Sequence, residues 1–209
     1  MTQHTNDTIC AISTPPGVGG IAVIRISGPQ ALETADRIWR GAPLAQAEAR
    51  TLHTGHIVDP ANNGEMLDQA VAAIFHDPAS FTGEDTVELS VHGSRYVQRR
   101  LLEILCDNGC RMAHPGEFTR RAFANGKIDL AQAEAIADVI ASESRAAHRL
   151  AASQMKGQFS ARLNQLRDKL LEIASLLELE LDFSEEEVEF ASRSRLTALA
   201  EDPVSYTHL

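Results

Sequence analysis

The 209 residues include three cysteines, one tryptophan and no run of eighteen apolar side chains, and each scarcity excludes something. Cys10, Cys106 and Cys110 are an odd and sparse set, so no disulfide framework is expected and a reducing compartment fits. Without a long apolar run there is no membrane-spanning helix to place. The opening residues, Met1 to Cys10, lack the basic-then-apolar order of a secretory signal, so the sequence reads as soluble and cytoplasmic. An excess of positive charge is missing as well. Nineteen Lys and Arg stand against 29 Asp and Glu, for a net charge of -10. Nucleic-acid affinity comes mostly from Lys and Arg neutralising phosphates, so any RNA contact must be local or shared with a partner.

Recognisable chemistry is also sparse. No GxxxxGK followed by Ser or Thr occurs, because Gly126-Lys127 has no matching upstream glycine and runs into Ile128, so the sequence itself carries no P-loop for GTP. Cys106, Cys110 and His114 invite a metal reading, but no CxxC or HxxxH pair accompanies them. Structural roles are the expectation, with no metal site. No Ser-His-Asp or Cys-His arrangement stands out, and no catalytic residue is assigned.

What is present is enough for a core, since 44% of the residues are hydrophobic. Thr8 to Ile12 and Ile21 to Ile26 have the β-branched character of strands, separated by the Pro- and Gly-rich Thr14 to Gly20. Ser27-Gly28-Pro29 then predicts a helix running through Trp39, with Leu32, Ala35 and Ile38 on one face. His53 to Val58 and Leu67 to Phe75 read as a hairpin around Pro60 to Gly64, and Thr86 to His92 as a further strand. A helix is expected from Ser94 to Asn108, stopped by Gly109. Residues 1 to about 120 are therefore α+β.

From Asp129, a good N-cap, the composition turns to Ala, Leu, Glu, Gln and Arg with no proline until Pro203, which predicts an all-helical segment. It is also the more acidic part: residues 1 to 127 carry 11 basic and 14 acidic side chains, residues 128 to 209 carry 8 and 15. Leu163, Leu166, Leu170, Ile173 and Leu177 form one stripe, expected to be the core of a bundle. The acidic run from Glu178 to Glu189 reads as a solvated helix end. Residues 203 to 209 abandon the helical pattern and read as a truncated or non-native tail.

The candidate functional residues carry two readings each. The glycines of Pro15 to Gly20 serve either a chain reversal, the favoured reading, or an anion cradle. Arg25 lies in the otherwise apolar run Ile21 to Ile26, where a charge needs a partner, a ligand or a solvent-facing position. Glu88 lies on the strand face opposite Val87 and Leu89, suited to a ligand or to a salt bridge with a neighbouring strand. Arg120, Arg121 and Lys127, around Phe118 and Phe123, either hold an anion or keep the surface soluble.

Several strings taken together resemble the MnmE (TrmE) family of tRNA-modification GTPases. They are Asp7-Thr8-Ile9, Thr14 to Gly28, Ser80-Phe81-Thr82-Gly83-Glu84-Asp85-Thr86-Val87-Glu88-Leu89 and, most specific of all, Pro115 to Ala135. Leu181 to Glu187 resembles the family's acidic link ahead of its GTPase domain. The resemblance covers residues 7 to about 200 and implies three segments: 1–127, a tetrahydrofolate-binding and dimerisation domain with the mixed sheet of aminomethyltransferases; 128–202, the first part of a helical domain; and the tail 203–209.

By the same resemblance Arg25, Glu88 and Lys127 occupy folate-contact positions for 5-formyltetrahydrofolate or a related one-carbon folate. A carboxylate suits the N–H edge of a pterin, and Arg and Lys suit the carboxylates of a glutamate tail. The family forms homodimers through this domain and works with an FAD-dependent partner on C5 of the wobble uridine of tRNA, making carboxymethylaminomethyluridine. At full length it uses GTP, magnesium and potassium, whose sites would lie outside this sequence. Two other classes stand beside this reading. One is a stand-alone one-carbon transferase, which needs an acid or base such as Asp85 or Glu117. The other is a dimerisation module without ligand.

Overall fold

The computed structural model describes residues 7–182. The chain divides between Ile128 and Asp129 into two compact units.

The first unit is built on a mixed seven-stranded sheet. Its strands are β1 (Thr8–Ile12), β2 (Gly19–Ser27), β3 (Trp39–Arg40), β4 (Thr51–Asp59), β5 (Glu65–Phe75), β6 (Thr86–Gly93) and β7 (Cys110–Met112). In space they run β3-β4-β5-β6-β2-β1-β7. Neighbours are antiparallel except β1 and β7, which are parallel. Two hairpins, β1-β2 and β4-β5, are thus joined through the β6-β2 pairing.

Helices α1 (Ala31–Arg37) and α2 (Arg95–Asp107) cover one face. Ile24 and Ile26 of β2, Ala72 and Ile74 of β5 and Leu89 of β6 pack there against Ala35, Leu101, Ile104 and Leu105. Because side chains alternate along a strand, the residues between them emerge on the opposite face, Arg25 and Glu88 among them. On that second face Ile21 and Leu52 are 69% and 73% exposed. A short helix, α3 (Glu117–Ala124), follows β7.

The expected helix through Trp39 is shorter than predicted. Ser27 closes β2, Gln30 precedes α1, and the helix ends at Arg37. Trp39 instead pairs with Ile57 as a strand, is nearly buried, and donates its indole N–H to the carbonyl of Ala42. Burial of a large aromatic outweighs the helical spacing of the residues before it.

The second unit contains α4 (Leu130–Ala141), α5 (Arg145–Met155) and α6 (Gln158–Asp182). Asp129 caps α4 as expected. Its carboxylate accepts the N–H of Gln132 at 2.8 Å, and the Gln132 amide oxygen accepts the N–H of Asp129 at 2.9 Å, a complete capping box. Among the described residues of this unit the small side chains of Ala135 and Ala151 are the buried ones. The leucine stripe departs from the expected bundle core: Leu163, Leu170 and Leu177 of α6 are 50%, 52% and 47% exposed among the described residues. The acidic run beyond Asp182 and the tail 203–209 lie outside the described residues. No described helix is long and apolar enough to cross a membrane.

Candidate functional site

Arg25 and Glu88 are register partners on β2 and β6. Both guanidinium contacts fall on one carboxylate oxygen: Nε donates to Oε1 at 2.8 Å and Nη2 lies 2.7 Å from the same atom. The pair is about a quarter exposed, at 24% and 27%, so it is neither sealed in a core nor free in solvent. Two aromatic rings flank the cation. Phe81, on the loop between β5 and β6, and Phe118, on α3, each place a ring centroid 5.4 Å from the guanidinium carbon. A flat cation lying against two rings and anchored by one carboxylate oxygen leaves Oε2 of Glu88 as the atom a ligand's N–H donors would approach.

Lys127 does not join this pair directly. Its ammonium donates to the carbonyl of Pro78 at 2.8 Å, and its stem packs against Gly83, where an added Cβ would lie 3.0 Å from Lys127 Cγ. The lysine therefore meets the loop that carries Phe81. Gly83 has φ +75°, a conformation that glycine adopts without strain and that here leaves room for the lysine stem.

The other basic residues expected near Lys127 are engaged elsewhere. Arg121 is 5% exposed and reaches Oδ1 of Asp7 at 2.7 Å, Oε1 of Glu84 at 3.1 Å and Oε1 of Glu117 at 3.3 Å. Arg120 is exposed, with Glu117 at 3.4 Å. Arg121 is thus neither a solubilising residue nor an open anion site, because its charge is neutralised inside the fold.

Glu117 is completely buried. It accepts two hydrogen bonds from Arg111, at 2.7 and 3.0 Å, and one from the backbone N–H of His114 at 2.8 Å. The hydrogen bonds from Arg111, opposed by burial and aided by His114 and Arg121, hold its carboxyl down at about 2. A permanently ionised, enclosed carboxylate is poorly suited to exchange protons with a substrate. Asp85 accepts the backbone N–H of Asp77 at 3.0 Å and stands 3.4 Å from Nδ1 of His76. It holds the base of the loop.

The glycine-rich segment works as the chain reversal between β1 and β2. Ser13 donates to the carbonyl of Val23, and the N–H of Val23 donates to Thr14 Oγ1. At its far end the backbone of Gly19 presses on Gly93, where any Cβ would overlap the Gly19 carbonyl. His92 pairs with Asp68 at 2.7 Å. Among the described residues no group of three or more His, Cys, Asp or Glu is arranged to hold a metal. Cys10 and Cys110 are buried. The neighbouring Cys110 and burial push the Cys10 thiol up, and burial with Cys10 beside it pushes Cys106 up to about 11. Cys10 and Cys106 therefore remain protonated thiols at neutral pH.

Phe81 and Glu84 are parts of the site that the residue-by-residue reading did not single out, and Phe118 enters that reading only as a neighbour of the basic residues 120, 121 and 127. Each lies inside a string that carries the family resemblance, which is the signal that marks them.

Residues 8–127 match the family described as GTP-binding protein TrmE N-terminus, and residues 130–204 match the MnmE helical domain. The chain belongs to the MnmE family. It is 58% identical over 199 residues to a tRNA modification GTPase MnmE of Parabacteroides distasonis, covering 93% of this chain and 43% of the relative. The proteins of the same name from Porphyromonas gingivalis and Flavobacterium johnsoniae are 51% and 50% identical, over 95% and 92% of this chain and 42% and 41% of their own lengths. The chain thus spans less than half the length of these MnmE relatives, over their N-terminal and helical segments.

Proposed function

We propose that the sheet unit of this chain binds a one-carbon tetrahydrofolate at the Arg25–Glu88 pair, within a longer MnmE-family GTPase that modifies C5 of the wobble uridine of tRNA together with an FAD-dependent partner. The observation that carries the ligand assignment is the pair itself: a partly exposed carboxylate, fixed through Oε1, beside a guanidinium flanked by Phe81 and Phe118. Glu88 accepts the N–H edge of the pterin, the two phenylalanines offer faces for its ring, and Arg25 with Lys127 binds anionic or carbonyl oxygens of the ligand. When bound, the folate supplies the one-carbon unit; the protein's residues bind and orient it.

The exposed apolar side chains on the open sheet face, Ile21 and Leu52, favour a homodimer through this unit. A stand-alone transferase is disfavoured by the enclosure and strong acidity of Glu117.

Calorimetric titration of the chain with 5-formyltetrahydrofolate, alongside Glu88→Gln and Arg25→Ala, tests the ligand and the site together. Saturable binding that is lost in both variants supports the reading. Binding that survives Glu88→Gln and Arg25→Ala unchanged moves the site elsewhere, and no binding to the unaltered chain leaves a dimerisation scaffold.

A further inference from the structure

Arg25 is flanked by Phe81 only because the loop from Asp77 to Asp85 folds back over the sheet, and the residues that hold it there form a distinct set. On β2, Ser27 lies two residues after Arg25 and so on the same face. Its hydroxyl donates to Oε2 of Glu84 at 2.7 Å and lies 2.7 Å from Oγ1 of Thr82. Thr86, two residues before Glu88, completes this buried hydroxyl group at 3.4 Å from Ser27. From α3, Arg121 grips Glu84 at 3.1 Å. From the end of α3, Asn125 donates to the carbonyl of Thr82 at 2.8 Å. The loop also closes on itself, with Ser80 Oγ donating to the Glu84 carbonyl at 2.6 Å. Phe81 is thereby fixed between Ser80 and Thr82, both of which are tied down, while the residue itself remains 38% exposed.

We infer that Ser27, Glu84, Arg121 and Asn125 are positioning residues for the Arg25–Glu88 site, acting by latching the Asp77–Asp85 loop so that Phe81 lies on the guanidinium of Arg25. They touch no ligand in this role. They set the orientation of the cation and the side of the pair that stays open, and the consequence for folate binding rests on the ligand reading above. Arg121 joins the latch to the ion network around Asp7 and Glu117, so the loop is referenced to the residue before β1 and to α3 at once.

The test reads the latch without a ligand first. The Nε–H of Arg25, hydrogen-bonded to Glu88 and flanked by two rings, should give a ring-shifted NMR resonance that Arg25→Lys identifies by its loss. In Asn125→Ala and Ser27→Ala of the same chain, that resonance moves or broadens while unfolding stays cooperative and the amide spectrum away from residues 77–85 and the substituted site is retained. The same proteins bind 5-formyltetrahydrofolate about tenfold or more weakly by calorimetry. An unmoved Arg25 resonance in folded Asn125→Ala overturns the latch whatever the ligand does, and Asn125→Ala still decides should Ser27→Ala fail to fold. If the unaltered chain binds no folate, the ligand reading fails alone and the resonance still judges the latch.

Discussion

The Glu117 carboxylate, with no exposed side-chain surface, meets the Arg111 guanidinium at 2.7 Å, and Arg111 reaches on to Asp7 at 2.7 Å. Through this relationship the start of α3, strand β7 and the residue before β1 are tied to one another. Arg121 closes the network by touching Asp7, Glu84 and Glu117. Glu117 and Arg121 are enclosed, where charges are costly unless paired and hydrogen-bonded; each carboxylate of the network has at least two donors, while the buried Nε of Arg121 has no acceptor.

Acid should therefore loosen the sheet unit in a definite window. The folded-state value of Glu117, about 2, lies below its ordinary 4.5, so its contribution is complete above 4.5 and is lost as pH falls from 4.5 toward 2. Thermal midpoints followed from pH 6 down to 2 should fall mainly in that window. Glu117→Ala, which leaves Arg111 and Arg121 short of a partner, should cost about 3–5 kcal/mol at neutral pH. A flat profile between pH 4.5 and 2 would contradict the assignment.

Much of this fold is legible in the sequence, and the parts that are not share a physical cause. The strands around Ile24, Ile74 and Leu89 announce themselves by alternation, and Asp129 announces α4 because capping is local chemistry. Strands β3 and β7, of two and three residues, are too short to show a period, and both exist through pairing with β4 and β1. Arg25 and Glu88 could each be suspected as charges on apolar strands. Their pairing depends on β6 lying beside β2, which no local pattern states. The inward turn of Arg121 was hidden for the same reason: Glu117 lies one turn before it on α3, but its other two carboxylate partners, Asp7 and Glu84, come from distant stretches of chain.

His76 should make the neighbourhood of the loop pH-dependent in the opposite sense. Its Nε2 lies 2.9 Å from the carbonyl of Ala47 and its Nδ1 3.4 Å from Asp85, an arrangement that only the doubly protonated ring satisfies in full. The Ala47 carbonyl, opposed by burial and aided by Asp85, raises its value above 6.5. The stabilisation is then fully present below 6.5 and is lost as pH rises through the raised value. An NMR titration of the His76 ring should give a midpoint above 6.5, and His76→Asn should abolish the loss of stability on that alkaline side.

Gly28 should tolerate no side chain. It has φ +136°, and a Cβ built there would lie 2.7 Å from Thr8 Cα and 2.8 Å from the Asp7 carbonyl oxygen, both backbone atoms. Gly28→Ala combines strain with overlap at the junction of β1 and β2, and should destabilise the chain by about 2 kcal/mol or more. Denaturant unfolding measures this directly; a loss below about 0.5 kcal/mol, the scale of an ordinary surface substitution, would mean the backbone there yields.

Arg25→Lys should be no conservative change. The lysine keeps the charge, but a point ammonium loses the flat face that lies against Phe81 and Phe118 and cannot reproduce the two contacts to Oε1 of Glu88. Affinity for 5-formyltetrahydrofolate should drop about tenfold or more, with little change in the unfolding midpoint, since the pair is partly exposed. Equal affinity in the two proteins would show that charge alone is needed.

The leucine stripe of α6 bears on how the chain behaves in solution. Leu163, Leu170, Leu171 and Leu177 are each about half exposed, while the open sheet face separately exposes Ile21 and Leu52. Exposed apolar surface of this kind drives association. Sedimentation velocity over a range of concentrations should therefore show species larger than a dimer. Replacing Leu163, Leu170 and Leu177 by Gln keeps helix propensity while removing the apolar surface, and should stop assembly at the dimer. A chain that stays a compact monomer at every concentration would remove both interfaces, whereas a triple variant that still assembles beyond the dimer would remove only the stripe from the account.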